Sequence, residues 1–219
     1  MHLNSDFTQR VVIRPDDYEW RDSPASGVKR MMLDRIGDEV ARATTIVEFA
    51  PGSYFDAHTH DGGEEYLVLE GVFSDESGDY PAGHYVRNPI GTSHKPHTKD
   101  GARILVKLHQ FDATDTEQKS VDTTVASFAP GPVQGMSILS LHDHISETVR
   151  LVRLAAGTHA PKTCHHGGAE IYVLEGMLQD EAGFYPAGTW LRVPHLSEHS
   201  LFSDEDCLFY IKTGHLRAD

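Results

Sequence analysis

Cysteine is scarce: the 219 residues include two, Cys164 and Cys207. They form no CxxC pair, so neither a disulfide framework nor a cysteine-based metal site is indicated, although a single bridge between them stays open. Positive charge is also short, with 19 Lys and Arg against 33 Asp and Glu and a net charge of -14. Nucleic-acid backbones and anionic membrane surfaces are gripped by clustered cations, so neither is an expected partner. No apolar run approaches the length of a membrane span. The start, Met-His-Leu-Asn-Ser-Asp, lacks a basic region followed by an apolar one. A cytoplasmic location is the expectation. Missing too is any segment with an apolar face at helical period over three turns.

What is present reads as β-structure written twice. On a shift of about 105 residues the chain matches itself without gaps from His60 to Gln110. Val68-Leu-Glu-Gly71 recurs as Val173-Leu-Glu-Gly176, and Tyr80-Pro-Ala-Gly83 as Tyr185-Pro-Ala-Gly188. Arg87, Pro89, His94 and Lys107 recur as Arg192, Pro194, His199 and Lys212. Upstream the register slips, so that Trp20, Pro24 and Gly27 answer to Phe128, Pro132 and Gly135. Such a period is too long for a solenoid and suits a duplicated small domain. Within each copy, alternating or β-branched runs are bounded by Gly and Pro turns: Thr45 to Phe49, Glu65 to Phe73 and Arg103 to Leu108 in the first, Thr148 to Leu154, Ile171 to Leu178 and Leu208 to Ile211 in the second. Many short strands with such turns predict a sandwich or barrel.

The first copy carries a constellation with chemistry in it. His58 and His60 are one residue apart on an extended strand and so face the same way. Glu64 follows across a Gly62-Gly63 turn, and a second turn, Asn88-Pro89-Ile90-Gly91, delivers His94 from a distant strand. Three imidazoles and a carboxylate converging from separate strands suit one divalent transition metal, closing a tetrahedral zinc site or leaving positions open in an octahedral one. The plainer reading, histidines scattered over the surface of a chain with 15 of them, does not account for glycines at each corner. His97 and His84 fall off the ligand face by strand parity. His97 is a candidate to orient a ligand, with solvated strand-end histidine the simpler reading for both. Glu65 alternates away from the cavity and suits a structural ion pair. Trp20 suits a buried anchor for the segment before the first copy.

In the second copy the matching positions are Thr163, His165, Ala169 and His199. Two of four donors are gone, and Pro194-His195-Leu196 replaces the turn that aims the last histidine. His165 and His199 therefore form a degenerate second site, kept for packing, for a partner or for an organic ligand. Cys164, His166 and Glu170 alternate away from it, unless the loop shifts by one residue to bring Glu170 or His166 inward.

The spacing of Gly52, His58, His60, Glu64 and Gly71, followed by Gly83, Pro89, Gly91 and His94, resembles the two motifs of the cupins, with Thr98 where the family has a final Asn. The text around it resembles the cupin of the ChrR type. That resemblance implies an all-β fold of two tandem cupin jelly-roll barrels (RmlC-like). Residues 1–30 would be an N-terminal arm packing on a barrel, 31–111 the first barrel with the metal site, 112–135 a connection and arm, and 136–219 the second barrel with the degenerate site. It also implies one divalent metal, zinc first, with iron, manganese and nickel admissible. In ChrR-type proteins the cupin senses and a separate helical zinc domain grips a sigma factor. Residues 1–30 hold no Cys and one His, too little for such a domain. The leading expectation is thus a zinc-type regulatory or sensing bicupin in transcription control, whose partner is a sigma factor, another regulatory protein or a small molecule. The alternative is a non-haem metal dioxygenase, similar to the acetylacetone-cleaving relative, acting on a small diketone or aromatic ketone. Cupin barrels commonly pair through sheet edges, so a homodimer is allowed.

Overall fold

The computed structural model of the protein describes residues 1–216. The last three residues of the second barrel as expected over 136–219 lie outside them. Among the described residues there is no α-helix, only a 3-10 turn at Pro15–Asp17. No helix is long and apolar enough to cross a membrane. Two compact units form, the first from Met1–Ser5 with Glu19–Ala126, the second from Asp6–Tyr18 with the chain from Ser127 onward. Each is a β-barrel of the kind expected from the repeat.

In the first unit the main sheet runs His2–Leu3, Val28–Gly37, Ala41–Phe49, Ala102–Leu108, Glu64–Asp75, His84–Asn88, Lys119–Asp122. A small second sheet pairs His58–Thr59 with Ser93–His94. Alternate residues of adjacent strands turn inward: Val47 and Phe49, Tyr66 and Val68, Ala102, Ile104 and Val106 share one apolar cluster. This is the two-residue period of a strand with one face on a core. The second unit repeats the plan with Met136–His144, Glu147–Leu154, Cys207–Thr213, Ala169–Glu175 and Trp190–Val193 in order. Val152, Leu154, Ile171, Val173, Leu191, Val193, Phe209 and Ile211 fill its core. Even a register shift recurs, between Arg103 and Ile104 in one copy and between Val173 and Glu175 in the other.

The segments before the two copies are exchanged. Val11–Ile13 pairs with Trp190–Val193 in the second unit, whereas Lys119–Asp122 pairs with His84–Asn88 in the first. These are matching edges of the two sheets, each covered by the chain that leads into the other copy. The arm expected over residues 1–30 is therefore shared between the units, since Trp20–Asp22 pairs with Val28–Gly37 of the first. The connection expected over residues 112–135 is shared likewise, as Ala129–Pro130 pairs within the second unit. The physical reason is the edge itself. An uncovered strand leaves a row of unpaired backbone groups, and a short run such as Val11-Val12-Ile13 satisfies it.

Candidate metal centre

The sequence places His58 and His60 on one face of a short strand, and that strand pairs with Ser93–His94 in the register His94 opposite His58. Two left-handed glycines shape the corners. Gly63 (φ 75) turns the chain back so that Glu64 opens the next strand, and Gly91 (φ 87) donates to the His60 carbonyl at 3.0 Å. The four side chains converge. Their candidate donor atoms all lie within 4.8 Å of one another. The Glu64 Oε2 is 3.4 Å from His60 Nε2 and 3.5 Å from His94 Nε2. Two donors bonded at about 2.1 Å to one tetrahedral ion stand about 3.4 Å apart, so this spacing is that of ligands sharing an ion.

The hydrogen bonds behind the rings fix which nitrogen faces inward. His58 Nδ1 is 2.9 Å from the Asp56 carbonyl, which can only accept. His94 Nδ1 is 3.2 Å from the Asp75 carboxylate. His60 Nδ1 is 2.9 Å from the Thr92 hydroxyl, whose own hydrogen goes to the Pro89 carbonyl at 2.7 Å, so the ring must donate. In each case Nδ1 carries the proton and Nε2 presents a lone pair. Such outer partners are what set ligand orientation and basicity in metal sites. Nε2 of His60 and of His94 are buried and have no hydrogen-bond partner among the described residues. An orphaned buried polar atom costs about 1–3 kcal/mol, which a bound cation removes. The residues fit a divalent metal.

Electrostatics point the same way. Burial, then the neighbouring His94 and His58, push the His60 imidazole down to about 3, so it is neutral. Burial lowers His94 as well, against the opposing pull of Asp75. Burial raises the Glu64 carboxyl to about 7, although the Asn88 amide, 3.3 Å away, favours its charged form. Neutral imidazoles and a carboxyl lacking a counter-charge are the apo face of a cation site.

His97 does not support a ligand. It is exposed, bridges Tyr54 and Ser74 through the backbone, and its Nδ1 sits 3.5 Å from the Lys95 carbonyl. His84 lies by the Pro81 carbonyl, 3.1 Å away, apart from the centre. The orienting groups are instead Thr92, Asp75 and the Asp56 carbonyl. The sequence carried a signal for one of these, since Asp75 recurs as Asp180 in the repeat. Glu65 points away from the site into a buried ion pair with Arg87 at 2.6 Å.

His58, His60 and Glu64 form part of the wall of a cavity of about 680 Å³. Val47, Phe49, Phe55, Phe73, Ile104 and Val106 supply its apolar side. His58 is the exposed member of the four.

In the second unit His165 and His199 stay together, but they bond to each other, Nε2 to Nε2 at 2.7 Å. His199 Nδ1 rests 3.1 Å from Asp180, which also takes hydrogen bonds from Arg10 at 2.7 Å and Tyr185 at 2.6 Å. Burial alone would raise the Asp180 carboxyl, but these donors hold it far below the usual range. No set of three metal-type donors surrounds His165 and His199 among the described residues. Glu170 does not swing in, since Trp190 and His215 engage it. Cys164 and His166 do border the cavity here, which measures about 380 Å³. The changed turn is preserved in shape: Leu196 adopts φ 63 and donates to the His165 carbonyl at 2.9 Å, as Gly91 does to His60.

The profile of the ChrR cupin-like domain matches this chain twice, over residues 8–112 and 116–217. The chain belongs to that family. Solved structures agree on the fold at low identity. A candidate dioxygenase from Nostoc punctiforme superposes with a TM-score of 0.77 at 14% identity, covering 96% of this chain and 85% of that one. An oxalate decarboxylase from Lactobacillus farciminis, in complex with formate, gives 0.63 at 12% identity over 95% and 87%. The pirin YhhW from Escherichia coli, in complex with nickel(II), gives 0.70 at 14% identity over 94% and 98%. No curated protein matches in sequence. As a ChrR cupin-like protein with two cupin domains, the chain keeps a full donor set in one of them.

Proposed function

We propose that the first barrel is a mononuclear metal centre that takes a small organic molecule through an oxygen atom, and that the chain acts as a metal-dependent enzyme of the dioxygenase type on a small diketone or aromatic ketone. One observation carries this reading: three of the four donors, His58, His60 and Glu64, face a cavity of about 680 Å³ with one apolar side. That volume lies within the range of small-molecule sites. A metal held only for structure is closed off by its ligands and needs no such space. His58, His60, Glu64 and His94 would hold the ion, and Thr92, Asp75 and the Asp56 carbonyl would keep the imidazoles turned toward it. The metal supplies Lewis acidity toward a coordinated oxygen and, if iron or manganese, one-electron chemistry. Phe49, Phe55 and Phe73 would exclude water and seat the apolar part of the molecule. The structural neighbours support the reading, since an oxalate decarboxylase and a candidate dioxygenase are among them.

A second reading is zinc-type sensing in transcription control, with a sigma factor or other regulatory protein as partner. Membership of the ChrR cupin-like family favours it, and three imidazoles with one carboxylate suit tetrahedral zinc. Metal analysis of the purified protein, followed by oxygen uptake with a panel of β-diketones on iron-loaded protein, separates the two. Stoichiometric zinc with no oxygen uptake after iron loading supports sensing and overturns the enzyme.

A further inference from the structure

The strand Ala102–Leu108 ends beside the donor cluster, and the next residue, His109, has φ 55. Glycine enters that left-handed region freely and a residue with a Cβ does so at a cost. Its amide donates to the Gly63 carbonyl at 3.1 Å. In the second unit the matching residue is Gly214, with φ 80 and an amide donating to the Gly168 carbonyl at the same 3.1 Å. Two residues on, Phe111 bonds to Gly62 and Leu216 to Gly167 in the same way. The turn is thus the same in both copies and suits glycine. The copy that keeps all four metal donors has a histidine there. Leu196, strained where the first copy has Gly91, shows that such a residue need not serve a ligand, so the case for His109 rests on where its side chain sits.

Gly62 supplies the seat for that side chain. A Cβ on Gly62 would lie 2.1 Å from Nδ1 and 2.4 Å from Cγ of His109. Gly62 itself is not left-handed, so what it contributes is the space its missing side chain leaves. The imidazole borders the same cavity as His58, His60 and Glu64. It is not among the clustered donors. Every other histidine around the centre has Nδ1 committed, whereas His109 shows no side-chain hydrogen bond or ion pair to any described residue.

We propose that His109 is the residue through which the first barrel binds and orients its organic ligand, by a hydrogen bond to an oxygen of an enolate or carboxylate held at the metal. The proposal rests on the metal-centre reading above and adds the group that recognises the ligand. Two substitutions suit the turn: His109→Gly, which the second copy already uses, and His109→Asn, which tolerates the left-handed conformation. A third, Gly62→Ala, keeps the imidazole but takes its seat, its added Cβ also meeting the His109 Cα at 2.6 Å so that the turn itself must shift.

The test uses full-length protein loaded with cobalt(II), whose visible bands report a change of ligand, titrated with benzoylacetone as the chelating probe. His109→Gly and His109→Asn are expected to hold as much cobalt as the unaltered protein and to melt no lower, with His109→Gly somewhat higher. Both should bind the probe about ten- to a hundredfold more weakly, the loss of one hydrogen bond to a charged group, and Gly62→Ala should follow them. Cobalt uptake with a probe affinity indifferent to residue 109 overturns this proposal alone. Cobalt uptake with no response to the probe overturns the organic-ligand reading of the metal centre and this proposal with it. Failure of the unaltered protein to take up cobalt overturns the metal-centre reading and this proposal with it.

Discussion

His60 and Thr92 are joined by a hydrogen bond of 2.9 Å in which the ring donates and the hydroxyl accepts. Because the hydroxyl hydrogen is spent on the Pro89 carbonyl, Thr92 can play no other part toward the ring, and the Nε2 lone pair is fixed toward Glu64. Replacing Thr92 by Val should therefore free the ring to adopt the wrong tautomer. The expected result is a ten- to hundredfold loss of metal affinity, the usual size of an outer-partner effect. Thr92→Ser keeps the oxygen and should keep the affinity. His97→Ala should change little, and His94→Ala should abolish binding. A competition titration against a chromogenic chelator reads all four. An intact Thr92→Val beside a weakened His97→Ala would show that the orienting group is misassigned.

The carboxyl of Glu64 provides a test by proton count. With its folded value near 7, about half of the metal-free molecules carry this proton at neutral pH, and a cation must expel it. Metal binding at pH 7 should release about half a proton from this group, and less as pH rises above 7. Calorimetry in buffers of different ionisation enthalpy measures the release, and Glu64→Gln should remove that part of it.

The sign of the stability effect follows. A carboxyl raised by burial stabilises the metal-free fold below its unfolded value near 4.5, and that contribution is lost as pH climbs through 7. His60, lowered to about 3, acts oppositely: its contribution is present above 6.5 and is lost as pH falls through 3. The gap between metal-loaded and metal-free melting temperatures should therefore widen from pH 5 to pH 8. A gap that narrows over this range would mean that Glu64 is not a ligand.

Much of this was legible in the sequence because it is local. His58, His60, Glu64 and His94 stand at motif spacing, and the repeat announced two barrels. Glu65 was read off the site by strand parity, and it does pair with Arg87. What escaped notice depends on through-space placement. Thr92 reveals itself only once its hydroxyl is seen between His60 and Pro89. His109 lies 15 residues beyond His94 by number, and only the pairing of Leu108 with Glu64 brings it to the cavity. The exchange of arms was hidden for the same reason. Val11–Ile13 and Lys119–Asp122 read as polar-flanked connections, and nothing local says which sheet edge each will cover.

Arg87 is fully buried between Glu65 and Asp115, 2.6 Å from each, with its guanidinium 4.1 Å from the Phe111 ring centre. Replacing it by Met would take the guanidinium away from two buried carboxylates. A loss of about 3–5 kcal/mol is expected, as for other broken buried pairs. Arg103, which pairs with Glu48 and Glu70 at the surface, should cost at most about 1 kcal/mol when changed to Met. Urea denaturation of the two variants compares them directly. Equal losses would mean that Arg87 contributes by packing alone.

The second barrel is where structure changes what the sequence alone recommends. By sequence, Thr163→His with Ala169→Glu restores the missing donors and should raise metal content to about two per chain. The structure adds a third requirement. Glu64 stands opposite Asn88 and takes a hydrogen bond from it, whereas Ala169 stands opposite Val193 and both are buried in the core. A glutamate there would enter an apolar wall with no amide to meet it, at a cost of several kcal/mol. The double variant should thus melt well below the unaltered protein and hold close to one metal. Adding Val193→Asn supplies the missing donor, and the triple variant should recover stability and approach two metals per chain. His199 is already aimed, since Leu196 keeps the left-handed turn of Gly91, and Leu196→Gly should add up to about 1 kcal/mol by relieving it. Elemental analysis with thermal melts decides among these outcomes. Two metals on the unaltered protein would end the reading of a lost site. A triple variant that folds and still holds one metal would show that the Nε2 to Nε2 bond between His165 and His199, braced by Asp180 and Arg10, outcompetes the ion.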